Sequence, residues 1–231
     1  MKKLGLIGGL SWSSTARYYD LINRSVQRQL GGLHSATLII DSLDFAEVAR
    51  CTSSNDWDCA AGHMVGAAKR LEAAGAEGIL ICANSLHKVA PQVESSIGIP
   101  FVHIIDEIGA KLKADNVKSV ALVGTSNVMT DRDYRQRLVS TGGVSLLPAD
   151  AELARRIDRM VYDELAAGKV TRDAERYMKS ELTDIAKEDV KAVVLACTEL
   201  ELVVDVHANV LPIYDSTIIH AEAGARFVLG E

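Results

Sequence analysis

The sequence predicts an α/β protein of two pseudo-symmetric halves, each with a mainly parallel sheet, and an active site in the cleft between them. Three observations carry that expectation. Short Val/Ile/Leu runs alternate with amphipathic stretches, the pattern of strands covered on both faces by crossover helices. The strand ends also repeat. GLIGGLS at 5–11 corresponds to ALVGTSN at 121–127, ILICANS at 79–85 to VLACTEL at 194–200, and GIPFVHIID at 98–106 to VLPIYDSTIIH at 210–220, with an offset of about 112 to 116 residues. Finally, 231 residues with 48% hydrophobic and 24% charged content are enough for one large core or two small ones.

The opening MKKLGLIGGLSW has the basic start of a signal peptide, but its apolar stretch is short, is interrupted by Gly5, Gly8 and Gly9, and is closed by a Ser-rich helix start. It therefore reads as a first strand at Leu4–Gly8 followed by a helix over 13–30. Thr37–Ile40 is the second apolar run, and a helix follows over 57–74. Gly78–Cys82 and Phe101–Ile105 are the next two strands. In the second half the strands are Val120–Gly124, Val193–Cys197 and Leu211–Tyr214, with helices over 131–140, 150–167, 172–188 and 216–228. Ile99-Pro100 and Leu211-Pro212 are the expected crossings. The N-terminal domain is then 1–100 plus 212–231, and the C-terminal domain 101–211. Ligands of such proteins bind outside the carboxyl ends of parallel strands, so the site is sought there.

Composition excludes several classes. The net charge is −6 and no Lys/Arg cluster is present, which argues against nucleic acid or an anionic membrane, since both need a concentrated positive face. No apolar run approaches the roughly 20 residues of a membrane span. The cysteines, Cys51, Cys59, Cys82 and Cys197, form no C-x-x-C pair, and no histidine pair has ligand spacing. Neither a metal site nor a disulfide framework is expected, and a reducing, cytoplasmic setting fits. Gly5-Leu6-Ile7-Gly8-Gly9 has the spacing G-x-x-G-G, which departs from the dinucleotide fingerprint G-x-G-x-x-G. It reads instead as a tight strand-to-helix turn whose backbone N–H groups, at Leu10 and Ser11 and into Ser13–Thr15, can receive a carboxylate.

The chemistry-bearing residues stand where strands end. Cys197 closes the run Val193-Val194-Leu195-Ala196 and precedes a helix start, where the helix field and adjacent N–H groups are expected to depress a thiol pKa. A thiolate so placed can abstract a proton from a carbon acid. Thr198 and Glu199 follow it, and Thr198 can donate to a carboxylate. Asn84 and Ser85 open the corresponding helix in the first half, and Thr125 and Ser126 follow Val120–Gly124; each pair can bind a carboxylate or cap its helix. Aligned through these polar residues, Ala83 stands opposite Cys197; aligned on the cysteines, Cys82 does. Neighbouring strand residues point to opposite faces, so only one of the two faces the cleft, and the sequence leaves open which. His87 can orient a catalytic group. Arg50, Lys88 and Lys169 are candidate cations for a second carboxylate, and Cys51 and Cys59, flanking the polar loop 52–56, receive no chemistry.

Four segments together resemble the aspartate/glutamate racemase family: GLIGGLSWSST-x-x-YY-x-x-IN (5–23), LGGLHSA (30–36), GAEGILICANSLHKVA (75–90) and ACTELEL (196–202). The resemblance runs over nearly the whole chain. It implies two α/β domains related by pseudo-symmetry, a homodimer, no cofactor, and a small acidic amino acid inverted between two thiols. Carried across, the second thiol is Cys197, followed by Thr198 and Glu199. The family's first cysteine is followed directly by asparagine and threonine; here Ala83 holds that place before Asn84 and Ser85, and Cys82 lies one residue earlier. The resemblance thus implies a racemase whose first proton carrier is Cys82, water or another polar group. Its alternatives are a single-cysteine decarboxylase or isomerase of the same superfamily, and a non-catalytic acidic-amino-acid binding protein.

Overall fold

A computed structural model describes residues 1–207 and 209–231. In chain order the elements are β1 (Leu4–Gly8), α1 (Trp12–Leu30), β2 (Leu38–Ser42), α2 (Phe45–Ser53), α3 (Trp57–Ala73), β3 (Gly78–Ile81), α4 (Ala90–Ser96) and α5 (Ile104–Ala114). Then come β4 (Ser119–Val123), α6 (Ser126–Met129), α7 (Arg132–Gly142), β5 (Ser145–Leu146), α8 (Ala151–Asp163), α9 (Arg172–Ile185), β6 (Ala192–Leu195), β7 (Ile213–Asp215) and α10 (Ser216–Leu229). Short 3-10 turns over Ser85–Val89 and Thr198–Leu202 follow β3 and β6. Many helix starts are fixed by side chains that accept otherwise orphaned N–H groups: Asp56 for α3, Asp131 for α7, Asp150 for α8 and Thr171 for α9.

The chain divides into two compact units, Met1–Ile104 with His220–Glu231, and Ile105–Ile219. The first holds a parallel sheet of order β2-β1-β3, with Leu4 opposite both Leu38 and Gly78. Strand parity sorts its side chains. Leu4, Leu6, Leu80 and Cys82 pack with Tyr18, Ile22 and Val26 of α1 and Ala221, Ala225 and Val228 of α10. Ile7, Ile79, Ile81 and Ala83 pack on the other face with Met64, Ala67, Ala68 and Leu71 of α3. The second unit holds a parallel sheet of order β5-β4-β6-β7. Ala121, Val123, Val193, Leu195 and Cys197 share one of its faces with Leu153 and Ile157 of α8 and Met178 and Leu182 of α9.

The parallel α/β class follows the sequence, with several local corrections. Phe101–Ile105 is not a strand: Phe101 makes a single parallel bridge to Ile79, and α5 begins at Ile104. The helix α2 and the two-residue strand β5 were not expected. The chain does not return to the first unit at Leu211-Pro212. Because β7 pairs with β6, residues through Ile219 stay with the second unit, and the change of unit falls within α10. Cys51 and Cys59, read as unpaired, form a disulfide across the α2–α3 connection; a contact made by tertiary packing of two helices leaves no spacing signature. No helix among the described residues is long and apolar enough to cross a membrane.

Candidate active site

The turn from β1 into α1 is tight. Gly9 has φ of +77°, and a side chain there would run into the Leu43 backbone. Thr15 Oγ1 accepts the Gly9 N–H at 2.8 Å and donates to the Ser11 carbonyl at 3.3 Å. Ser11 has φ of +63°, and its hydroxyl lies 2.7 Å from that of Ser13. Leu10 and Ser11 are both buried in this turn.

At the neighbouring strand end, parity sends Cys82 and Ala83 to opposite faces of the sheet. Cys82 is wholly buried against α1 and α10, and burial pushes its thiol pKa far upward. Ala83 takes the α3 face. Asn84 is buried, and Ser85, half-buried, opens the 3-10 turn. His87 braces this loop: its Nδ1 lies 2.8 Å from the Ala83 carbonyl, while Nε2 accepts the Ile104 N–H at 3.2 Å. Since Nε2 is an acceptor, Nδ1 carries the proton and donates to Ala83, and the ring is neutral. Burial, then the neighbouring His103 and His220, hold the His87 pKa well below its ordinary value. His220 is fixed in the same way, with Nε2 donating to the Val102 carbonyl at 2.9 Å and Nδ1 accepting from Tyr18 at 2.9 Å. Burial takes its pKa down to about 3.

In the second unit the ends of β4 and β6 meet at Gly124, where a Cβ would sit 2.7 Å from the Ala196 carbonyl oxygen. The Ala196 N–H donates to Val123 at 2.7 Å. Glycine is therefore required for the approach that brings Thr125 and Ser126 to a strand end beside that of Cys197. Thr125 is buried, and the Ser126 N–H donates to Asp158 Oδ1 on α8 at 2.9 Å.

Cys197 is 8% exposed and stands immediately before the turn over Thr198–Leu202. Its thiol donates to Glu199 Oε2 at 3.2 Å, and the Thr198 hydroxyl donates to the same oxygen at 2.8 Å. The thiol pKa is raised well above its ordinary value by burial first, then by the Glu199 charge and its hydrogen bond; the backbone N–H groups of Glu199 and Leu200 act in the opposite direction. That corrects the expectation of a depressed pKa. The favourable N–H groups are present, but burial and a carboxylate beside the sulfur outweigh them. The arrangement is a thiol hydrogen-bonded to a carboxylate, with the Glu199 and Leu200 N–H groups at the sulfur.

Tyr162 of α8 belongs to the same neighbourhood. The residue is 49% exposed, and its hydroxyl pKa is raised by partial desolvation and then by Cys197, Asp158 and Glu199. Sequence reasoning missed Asp158 and Tyr162, although their i, i+4 spacing puts both on one helix face. Of the expected cations, Arg50 pairs with Glu47 at 3.8 Å, Lys88 lies 4.7 Å over the Trp57 ring, and Lys169 is exposed. A cavity of about 380 Å³ in the second unit is lined by Asp150, Glu181, Asp184 and Glu188, a set of carboxylates unsuited to an acidic ligand.

Residues 7–224 match the family model for Asp/Glu/hydantoin racemases. Among solved structures, a candidate Asp/Glu racemase from Yersinia pestis is 37% identical with a TM-score of 0.90, covering 99% of this chain and 100% of that one. An aspartate racemase homologue from Pyrococcus horikoshii is 30% identical with a TM-score of 0.83, again over 99% and 100% of the two chains. The aspartate racemase of Picrophilus torridus shares the fold, with a TM-score of 0.80 at 20% identity over 100% of this chain and 95% of that one.

Proposed function

The chain belongs to the Asp/Glu/hydantoin racemase family, and on that premise we propose that it interconverts the L and D forms of aspartate or glutamate without pyridoxal phosphate. Cys197 moves one of the two protons. The observation that carries this reading is the thiol of Cys197, set at a strand end with Glu199 Oε2 at 3.2 Å and two backbone N–H groups at the sulfur.

The chemistry follows from that local geometry. Cys197 rests as a thiol, so it acts first as an acid, delivering its proton to the α-carbanion. The thiolate left behind is held by the N–H groups of Glu199 and Leu200. In the return direction the thiolate takes the α-proton, and Glu199 accepts the thiol hydrogen bond again. This reading assigns polar groups at Leu10, Ser11, Asn84, Ser85, Thr125, Ser126 and Thr198 to the substrate carboxylates, other than the Ser126 N–H and the Thr198 hydroxyl, which donate to Asp158 and Glu199. Inversion needs a second proton carrier. The burial of Cys82 among apolar side chains disfavours a thiolate there, and alanine at position 83 carries no proton, so the reading gives that role to water.

A second reading is favoured by one feature, the absence of a proton-carrying side chain at Ala83. With Cys197 as the sole acid, the protein would protonate a carbanion left by decarboxylation or isomerisation. Proton NMR of L-aspartate and L-glutamate in deuterated water, followed by chiral separation, tests both. Loss of the α-proton signal together with the D isomer supports racemisation. Exchange without inversion supports chemistry on one face alone, and an absence of exchange would overturn the racemase reading.

A further inference from the structure

Cys51 lies in the last turn of α2, while Cys59 and His63 lie one helical turn apart near the start of α3. The i, i+4 spacing puts Cys59 and His63 on one face of α3, and the fold of α2 back onto α3 brings Cys51 to that face. One ligand atom from each of the three, the two sulfurs and a ring nitrogen, lies within 4.8 Å of the other two. Asp56 fixes the intervening loop from both sides, its side chain accepting the Cys59 N–H at 3.0 Å and its own N–H donating to the Cys51 carbonyl at 2.8 Å. Cys51 is buried, His63 half-buried and Cys59 exposed, so the cluster opens to solvent on one side.

We propose that Cys51, Cys59 and His63 form a redox-gated cation site: shut while the two cysteines are joined, and able to hold a divalent cation of the zinc class once they are reduced. Two thiolates and an imidazole are the donor set that zinc prefers, and they select against magnesium and calcium, which take oxygen ligands. Around a tetrahedral zinc with sulfur at about 2.3 Å and nitrogen at about 2.0 Å, ligand atoms stand roughly 3.5–3.8 Å apart. The three atoms need only small side-chain shifts to reach that spacing, and the fourth position is left to water on the open side. Reduction breaks the S–S bond and yields two thiols, the two electrons and two protons coming from two molecules of a thiol that become its disulfide, or the electrons from a phosphine that becomes its oxide and the protons from the water that supplies the oxygen. Cation binding then releases those two protons. In the reverse direction an oxidant of the peroxide class takes two electrons from the thiolates; its O–O bond breaks and, with two protons, gives two waters, while the S–S bond forms and the cation leaves.

The test uses the full chain, reduced with a phosphine, freed of reductant without air and titrated with Co²⁺, followed by competition with Zn²⁺. The reduced protein is expected to bind one equivalent of Co²⁺, with thiolate-to-cobalt absorption in the near ultraviolet and intense tetrahedral bands in the visible, and the oxidised protein to bind none. Cys59→Ser and His63→Gln, both at solvent-accessible positions, are each expected to weaken binding by about 10-fold or more while leaving the melting of the reduced, metal-free protein unchanged. Three results would each overturn the proposal: no thiolate-to-cobalt band in the reduced protein, bands that persist equally in both variants and therefore come from Cys82 or Cys197, or a Cys51–Cys59 bond that resists reduction in the folded state.

Discussion

The thiol of Cys197 donates to Glu199 Oε2 across 3.2 Å within a single turn of chain. The carboxylate both raises the thiol pKa and orients the thiol hydrogen, so removing the carboxylate charge separates the two effects. In Glu199→Gln the Cys197 thiolate should form at lower pH, seen as a downward shift in the pH profile of alkylation by iodoacetamide read by mass spectrometry. Turnover should nonetheless fall by about 10²–10⁴-fold, the usual contribution of a positioned acid–base group, because the thiol is no longer held in place by a charged acceptor. An unshifted alkylation profile would show that Glu199 does not set the Cys197 thiol.

Cys197→Ser should abolish α-proton exchange, because a hydroxyl is far less acidic than a thiol. Cys82→Ala should leave exchange close to that of the parent while lowering stability by about 1–2 kcal/mol through loss of a buried atom. If Cys82→Ala instead eliminates exchange in a protein that still melts cooperatively, the second proton carrier is Cys82.

Ala83→Cys places a thiol directly before Asn84. If position 83 is where a proton carrier is lacking, the ratio of D-isomer formation to α-proton exchange should rise several-fold. Chiral chromatography of the product against deuterium uptake measures that ratio, and a ratio that stays fixed argues that position 83 takes no part.

His87 and His220 are held neutral in the fold, and both have pKa values below that of an exposed histidine. The unfolded chain binds protons at both as pH falls through about 6.5, while the folded chain does not until far lower, about 3 for His220. Their contribution is thus complete above pH 6.5 and shrinks on acidification, by about 2 kcal/mol per histidine between pH 7 and pH 5. Urea unfolding at the two pH values measures this, and His220→Asn should flatten the dependence. A midpoint that does not move between pH 7 and pH 5 would contradict the neutral assignment.

Gly124→Ala would set a methyl group 2.7 Å from the Ala196 carbonyl, where only backbone can yield. The ends of β4 and β6 would be forced apart, with an expected loss of about 1–3 kcal/mol and reduced turnover. Equilibrium unfolding beside the exchange assay checks both parts.

Much of this was legible in the chain itself. Alternating apolar runs and amphipathic stretches are local properties, so β1, β3, β4 and β6 stand close to where the pattern put them, and with them Asn84, Thr125 and Cys197 at strand ends. Phe101–Ile105 misled because a short apolar run serves a buried helix start as well as a strand, and the packing of α5 decided it. Whether Cys82 or Ala83 turns toward α3 depends on strand parity against a particular helix, which a one-residue shift reverses. The direction of the Cys197 pKa depends on burial and on the rotamer that brings Glu199 to the sulfur. Asp158 meets Ser126 from 32 positions away, and Cys51 meets Cys59 and His63 only because α2 folds back on α3. The sequence by itself determined the alternation of elements and the positions of reactive groups along it, since both follow from neighbours in the chain. Tertiary structure alone decided facing, protonation and pairing, because these are set by atoms that are distant in sequence and close in space.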